Sequence, residues 1–205
     1  MSRSKEMDLT TGNPFWSLLK FAIPVILGNL FQLFYTLADS VIVGKTLGAE
    51  SLAAVGSTSI IIYFVFCFIN GFTGGFGICL GQRCGAKDEQ GMRKSIAVST
   101  LLSIAFTIVL TLVCCLLSRQ ILVWMQIPDD IAEEANAYMF VVLLGTGATV
   151  FYNMISNMLR ALGDSKTPLY FLILASIINV VLDLLFVLRF EWSVFGVALA
   201  TIIAQ

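Results

Sequence analysis

Six long apolar runs, separated by short turns marked with charges, glycine and proline, constrain this chain more than any other feature. They cover about 16–43, 52–80, 95–118, 135–160 and 168–188, and a last run begins near Val194. A helix needs about 20 consecutive apolar residues to cross the ~30 Å hydrocarbon core of a bilayer. Each of the first five runs reaches that length. Of the 205 residues, 58% are hydrophobic and only 12% are charged, whereas soluble domains carry about 25% charge. So few charges cannot cover so much apolar surface, and lipid is the natural solvent. The expected fold is all-α: an N-terminal segment over 1–14, then a polytopic bundle of six transmembrane helices over 15–205.

The sixth run has only twelve residues, Val194 to Gln205. At 1.5 Å per residue a helix of that length covers about 18 Å, short of a full crossing. The expectation is therefore a truncated sixth span and a chain that forms part of a larger transporter. No internal repeat is visible, and many transporters pair two similar halves. The first run is too long for a cleaved signal peptide and has no small-residue cleavage site after it, so it reads as a span.

Composition removes several functions. There is no histidine, which excludes His-ligated metal sites, Ser-His-Asp hydrolysis and Cys-His nucleophiles. The five cysteines form no C-x-x-C pair and read as small apolar packing residues. No basic tract points to nucleic acid, and no cofactor motif is present. Trp16, Trp124 and Trp192 stand near span ends, where interfacial anchors belong.

Lysine and arginine set the orientation. With the N-terminus in the cytoplasm, the inner side carries Arg3, Lys5, Lys20, Arg83, Lys87, Arg93, Lys94, Arg160 and Lys166, and the outer side carries Lys45, Arg119 and Arg189. Nine against three obeys the positive-inside rule. A multi-pass protein of a bacterial inner membrane is expected.

Two carboxylates, Asp39 and Asp183, interrupt apolar spans. Each costs about 2.5–3.5 kcal/mol at the bilayer centre on insertion scales, and such residues face a bundle interior or a water-filled path. Gly28, Asn29, Gln32, Tyr35, Thr36 and Asp39 recur at steps of three and four, which puts them on one helical face. Ser176, Asn179 and Asp183 repeat the design on the fifth span. Asn153, Ser156, Asn157 and Arg160 do so on the fourth, and the sixth offers Thr201. Asp39 lies five residues before Gly44, Asp183 six before Arg189, and Thr201 seven after Val194. At 1.5 Å per residue all three sit roughly 8–10 Å below the outer surface. One polar cluster of Asp39, Asn179, Asp183 and Thr201 follows. Two poorly solvated carboxylates resist joint ionisation, so the cluster suits a proton, or Na⁺ held by hard oxygen donors.

Helix breakers add two expectations. Pro24 lies inside the first span and permits a kink there. Gly71/Gly75 and Gly77/Gly81 form G-x-x-x-G pairs, which favour close helix packing. Asn70 and Thr73, on the same span, fit either a cavity wall or a packing contact.

At this point a family resemblance carries weight. Ile23-Pro24-Val25-Ile26-Leu27-Gly28-Asn29, Asp39-Ser40-Val41-Ile42-Val43-Gly44, Leu47-Gly48 and Leu52-Ala53-Ala54-Val55-Gly56 resemble the multidrug and toxic compound extrusion (MATE) family. So do Gly85-Ala86-Lys87-Asp88 and the run from Arg160 to Pro168, Arg-Ala-Leu-Gly-Asp-Ser-Lys-Thr-Pro. The resemblance implies twelve helices in two six-helix lobes, a V-shaped cavity and alternating access, with this chain matching the N-terminal lobe. It implies that Asp39, Asn179, Asp183 and Thr201 take up H⁺ or Na⁺, that Asn153 belongs to the polar lining of that lobe, and that the first helix bends at Pro24. Gln32, Asn29, Tyr35, Thr36 and Asn157 are the expected cavity wall.

The function expected is antiport, in which a proton or Na⁺ drives out an amphipathic, often cationic, small molecule. The coupling ion is the only cofactor-like species. The expected partners are membrane lipid and either a C-terminal lobe or a second copy of the chain. Three rivals stand beside it. Lipid-linked glycan flipping by a related fold calls for a more cationic cavity. A fragment without transport of its own is the second. An intramembrane aspartyl protease, the third, calls for Gly-x-Gly-Asp within a span, and neither Asp39 nor Asp183 has that context; no enzyme activity is expected.

Overall fold

The computed structural model describes residues 13–190 and 192–205, and every regular element among them is helical. The segment over 1–12, with Arg3 and Lys5, lies outside the described residues. Helix α1 runs Pro14–Thr46, α2 Ala49–Gly85, α3 Glu89–Trp124, α4 Asp129–Leu144, α5 Thr146–Ala161, α6 Lys166–Leu184 and α7 Val194–Ala204. A π-helical turn, Leu185–Arg189, continues α6.

Local chemistry sets the ends. Asn13 caps α1 by accepting from the Phe15 amide at 3.0 Å, with Pro14 in the first turn, where its missing N–H costs nothing. Asp88 caps α3 by accepting from the Gly91 amide at 2.9 Å and pairs with Arg83 at 3.0 Å. Asp164 accepts from the Lys166 and Thr167 amides and the Thr167 hydroxyl, starting α6.

The hydrogen bond from Gly91, then the Arg83 guanidinium, holds the Asp88 carboxyl below the usual carboxylate range. The folded state thus favours the ionised form. Its contribution is full above the unfolded value of about 3.9 and fades as pH falls through the lower folded value. The first turn of α3 is expected to loosen only in strong acid. The Gly91 amide, corrected for intrinsic exchange rate, should then lose protection. In Asp88→Ala the loss is already present at neutral pH, and equal protection in both proteins there would contradict the assignment.

The apolar surface is turned outward. Phe34, Ile60, Phe64, Leu101, Leu116 and Leu188 are among the many exposed large hydrophobics, as lipid-facing positions must be. Four helices are long and apolar enough to cross a membrane. The pair α4 and α5 passes the same length and composition test together, and α7 is the short sixth. Helix α2 packs against α3, α4 and α5, α1 lies on α6, and α7 fits against α4 and α6.

Two expectations need correction. The fourth span is not one rod: it breaks at Gly145 and bends by 42° between Leu144 and Thr146. Ile202 of α7 occupies the space a Cβ at Gly145 would need, with its Cδ1 2.7 Å and its Cγ2 3.2 Å from that position. The break is thus packed against α7. The two glycine pairs of α2 also differ. A Cβ at Gly77 would stand 3.1 Å from the Asn157 carbonyl oxygen and one at Gly81 3.8 Å from the Ala161 Cβ, so this pair seats α5. Gly71 and Gly75 face open space.

Candidate functional site

The two spans that carry intramembrane acids converge. Helices α1 and α6 pack along each other, and the carboxyl groups of Asp39 and Asp183 face one another within hydrogen-bonding reach. Asp183 is fully buried and Asn179, one turn earlier on α6, is 2% exposed. Asn179 donates its amide to the Thr201 hydroxyl at 3.4 Å, and that hydroxyl donates to the Val197 carbonyl at 3.0 Å. The amide thereby brings α7 to the site.

What this arrangement lacks is donors. Both carboxylate oxygens of Asp183, Oδ1 of Asp39 and Oδ1 of Asn179 are buried with no hydrogen-bond donor. Leaving one buried acceptor unmade costs about 1–3 kcal/mol, more when it is charged. Four together, contributed by two helices, form an acceptor-rich pocket that a proton or a small hard cation would complete. Carboxylate and amide oxygens suit Na⁺ or H⁺ and not a soft transition metal.

Beside the pair lies a cavity of about 490 Å³, within the range of drug-sized sites. Gln32, Tyr35, Asn153, Asn179 and Thr201 belong to its wall, along with Asn70, Tyr152 and Ser156. Phe66, Phe151 and Phe171 supply apolar surface, and no charged side chain is in the lining. Asp39 and Asp183 are not among the lining residues, whereas Asn179, one turn from Asp183, and Thr201 are. Asn153 donates its amide to the Thr149 carbonyl at 2.8 Å, as a wall residue.

Other candidates fall elsewhere. Asn29 and Thr36 are exposed and outside the lining, the Thr36 hydroxyl donating to the Gln32 carbonyl at 3.0 Å. Asn157 donates to the buried Thr73 hydroxyl at 3.2 Å where α5 meets α2, so it serves packing there. Thr73 is thus a packing residue and Asn70 a wall residue. Pro24 is buried, and α1 continues through it without interruption.

One residue near the acids is not anticipated by the polar stripes. Tyr138 of α4 lies within electrostatic reach of Asp39, Asp183 and Tyr35. It reads as one more aromatic in an apolar span. Depth is the signal that could find it: Tyr138 is nine residues into a helix that starts at Asp129, as Thr201 is seven into one that starts at Val194.

A bundle of outward-greasy helices around a neutral cavity, with an acid pair beside it, defines one lobe of a multi-pass membrane transporter. The family model for MatE matches residues 24–185, and the chain belongs to that family. It is 35% identical over 201 residues to the probable multidrug resistance protein YpnP of Bacillus subtilis (strain 168), covering 98% of this chain and 45% of that protein. It is 26% identical over 192 residues to the probable multidrug resistance protein NorM of Thermotoga maritima, covering 92% and 41%. A MOP superfamily transporter from Pyrococcus furiosus, described for the reversed polarity of its binding pocket, superposes with TM-score 0.92 at 29% identity, over 100% of this chain and 45% of that one. A MATE transporter in the bent conformation gives TM-score 0.91 at 29% identity, over 99% and 45%. The chain therefore spans less than half the length of the relatives it matches, the extent of one six-helix lobe, here the N-terminal one.

Proposed function

We propose that this lobe takes part in cation-coupled export of amphipathic, often cationic, small molecules, with the Asp39–Asp183 pair as the ion-coupling site. The observation that carries the reading is the set of four donor-free buried oxygens contributed by α1 and α6. The names of its relatives, multidrug resistance proteins, support the substrate class.

The mechanism follows from electrostatics. Two ionised carboxylates held together away from water repel each other. A proton or Na⁺ entering the pair removes that repulsion and lets α1 and α6 close up. Helix α1 bends near Pro24, where the backbone ladder lacks one bond. A relative known in straight and bent conformations is consistent with such a step. The bend narrows the cavity and pushes the substrate outward, and the return of the ion to the cytoplasm resets the lobe. Gln32, Tyr35 and Asn153 supply hydrogen bonds to the substrate, and the phenylalanines supply apolar contact. The N-terminus lies in the cytoplasm, the membrane is the bacterial inner membrane, and a second lobe completes the cavity.

The test is efflux of a cationic dye from proteoliposomes under an imposed proton or Na⁺ gradient. Efflux that follows one of the gradients and stops when it is collapsed is the expected result. Efflux indifferent to both gradients would sink the proposal.

A further inference from the structure

The helix ends beyond the acid pair form layers. Asp39 of α1, Asp183 of α6 and Tyr138 of α4 lie within electrostatic reach of one another. Along the helices, four residues farther toward the same end of the bundle, stand Val43, Val187 and Glu134. Val197 stands in the same relation to Thr201, and Ser51 lies four residues beyond Val55. The valines meet: Val43, Val55, Val187, Val194 and Val197 form one cluster, with none more than 8% exposed. Tyr138 packs against its inner side and Leu47 joins it.

Glu134 closes this layer from beyond. Its Oε2 accepts from the Ser51 hydroxyl of α2 at 2.8 Å, and its Oε1 accepts from the Ser193 hydroxyl at 2.8 Å. Ser193 is the N-cap residue of α7, yet its side chain makes no capping bond. A serine at that position ordinarily satisfies its own helix; here it is spent on Glu134. One carboxylate therefore ties the beginnings of α2 and α7 to α4, using both oxygens. Its hydrogen bonds to a charged acceptor are of the stronger kind.

We infer that Glu134, with Ser51 and Ser193, is a positioning residue that clamps a valine plug shut over the acid pair. The coupling ion then does not enter from the Glu134 end of the bundle, and Asn179 and Thr201, which line the cavity, mark the other approach to Asp183. The inference rests on the reading of the acid pair as the ion site.

The test reads access to the plug and needs no transport. Cys67, Cys79, Cys84, Cys114 and Cys115 are first replaced by alanine. Val43→Cys reports the plug and Ser176→Cys the cavity wall, each labelled by a small charged methanethiosulfonate in detergent-purified protein. Val43→Cys is expected to react slowly and Ser176→Cys quickly. Opening of a local element governs the reactivity of a buried site, so Glu134→Ala should speed labelling of Val43→Cys at least about tenfold. Ser176→Cys should not change. Glu134→Gln, which keeps an acceptor and a donor in the same place, should restore slow labelling. Fast labelling of Val43→Cys with Glu134 intact, or no acceleration by Glu134→Ala, overturns the clamp. If Glu134→Ala does not give monodisperse protein, Ser193→Ala is read the same way, and unchanged labelling there overturns it too. Loss of the ion response without any change in this pattern would instead reject the ion site and leave the clamp standing.

Discussion

Asp183→Asn is expected to reduce ion-driven dye efflux at least about tenfold, the equivalent of about 1.4 kcal/mol, while leaving the lobe folded. Asparagine matches a neutral aspartic acid in shape but can neither take up nor give off the coupling proton, and it removes one of the two charges that would hold Na⁺. The folded state should tolerate it, because a fully buried carboxylate with two donor-free oxygens is a burden on stability and not a support. Binding makes the expectation sharper. A ligand present at about a hundred times its Kd stabilises the folded state by about 2.7 kcal/mol. Unaltered protein should therefore melt higher as Na⁺ rises, or as pH falls if the ion is a proton. Asp183→Asn should show neither response. Asp39→Asn should behave in the same way, since the two carboxyls form one site. A variant that exports dye at the original rate with its ion dependence intact would show that the pair does not couple transport.

The sequence carries this site because burying charge in lipid is costly: acids stand out in apolar runs, and their spacing fixes face and depth. That reasoning brings Asp39, Asn179, Asp183 and Thr201 to one level from residue numbers alone, and the structure places Asn179 against Thr201 and Asp39 against Asp183. It falls short where a residue's meaning depends on a distant partner. Asn29 and Thr36 share the helical face of Gln32, but neither lines the cavity. Asn157 has the spacing of a wall residue, yet its amide answers a buried threonine on α2. Glu134 belongs to the acidic run Asp129, Asp130, Glu133, Glu134, which carries no sign of a partner, and it is held by Ser51 of α2 and by Ser193 at the start of α7. Two G-x-x-x-G pairs look alike in sequence, and only the one opposite Asn157 and Ala161 is used within this lobe. The π-helical turn after Asp183 has no local signature either. Such turns gather at functional sites, and this one carries Val187 into the plug.

Gly145→Ala is expected to destabilise the lobe by about 1–3 kcal/mol, the usual cost of an extra methyl group in a filled core. For a chain of this size that corresponds to a fall in Tm of roughly 2–4 °C per kcal/mol. The added Cβ overlaps Cγ1 of Ile202 and comes within 2.7 Å of its Cδ1. Isoleucine is branched at Cβ and has one strongly preferred rotamer in a helix, so the side chain cannot swing clear. Either α7 moves or the 42° bend between α4 and α5 opens. Movement of α7 also carries Thr201, the neighbour of Ile202, away from Asn179, whose bond is already long at 3.4 Å. The substitution should therefore weaken the ion-dependent stabilisation as well as the fold. Ile202→Ala supplies the control. It removes the atoms that collide, so the double variant should lose much less than the sum of the two single losses, with a coupling of about 0.5–3 kcal/mol as seen for residues in contact. Strict additivity would show that Gly145 is not there to admit Ile202, and the cause of the bend would have to be sought within α4 and α5 themselves.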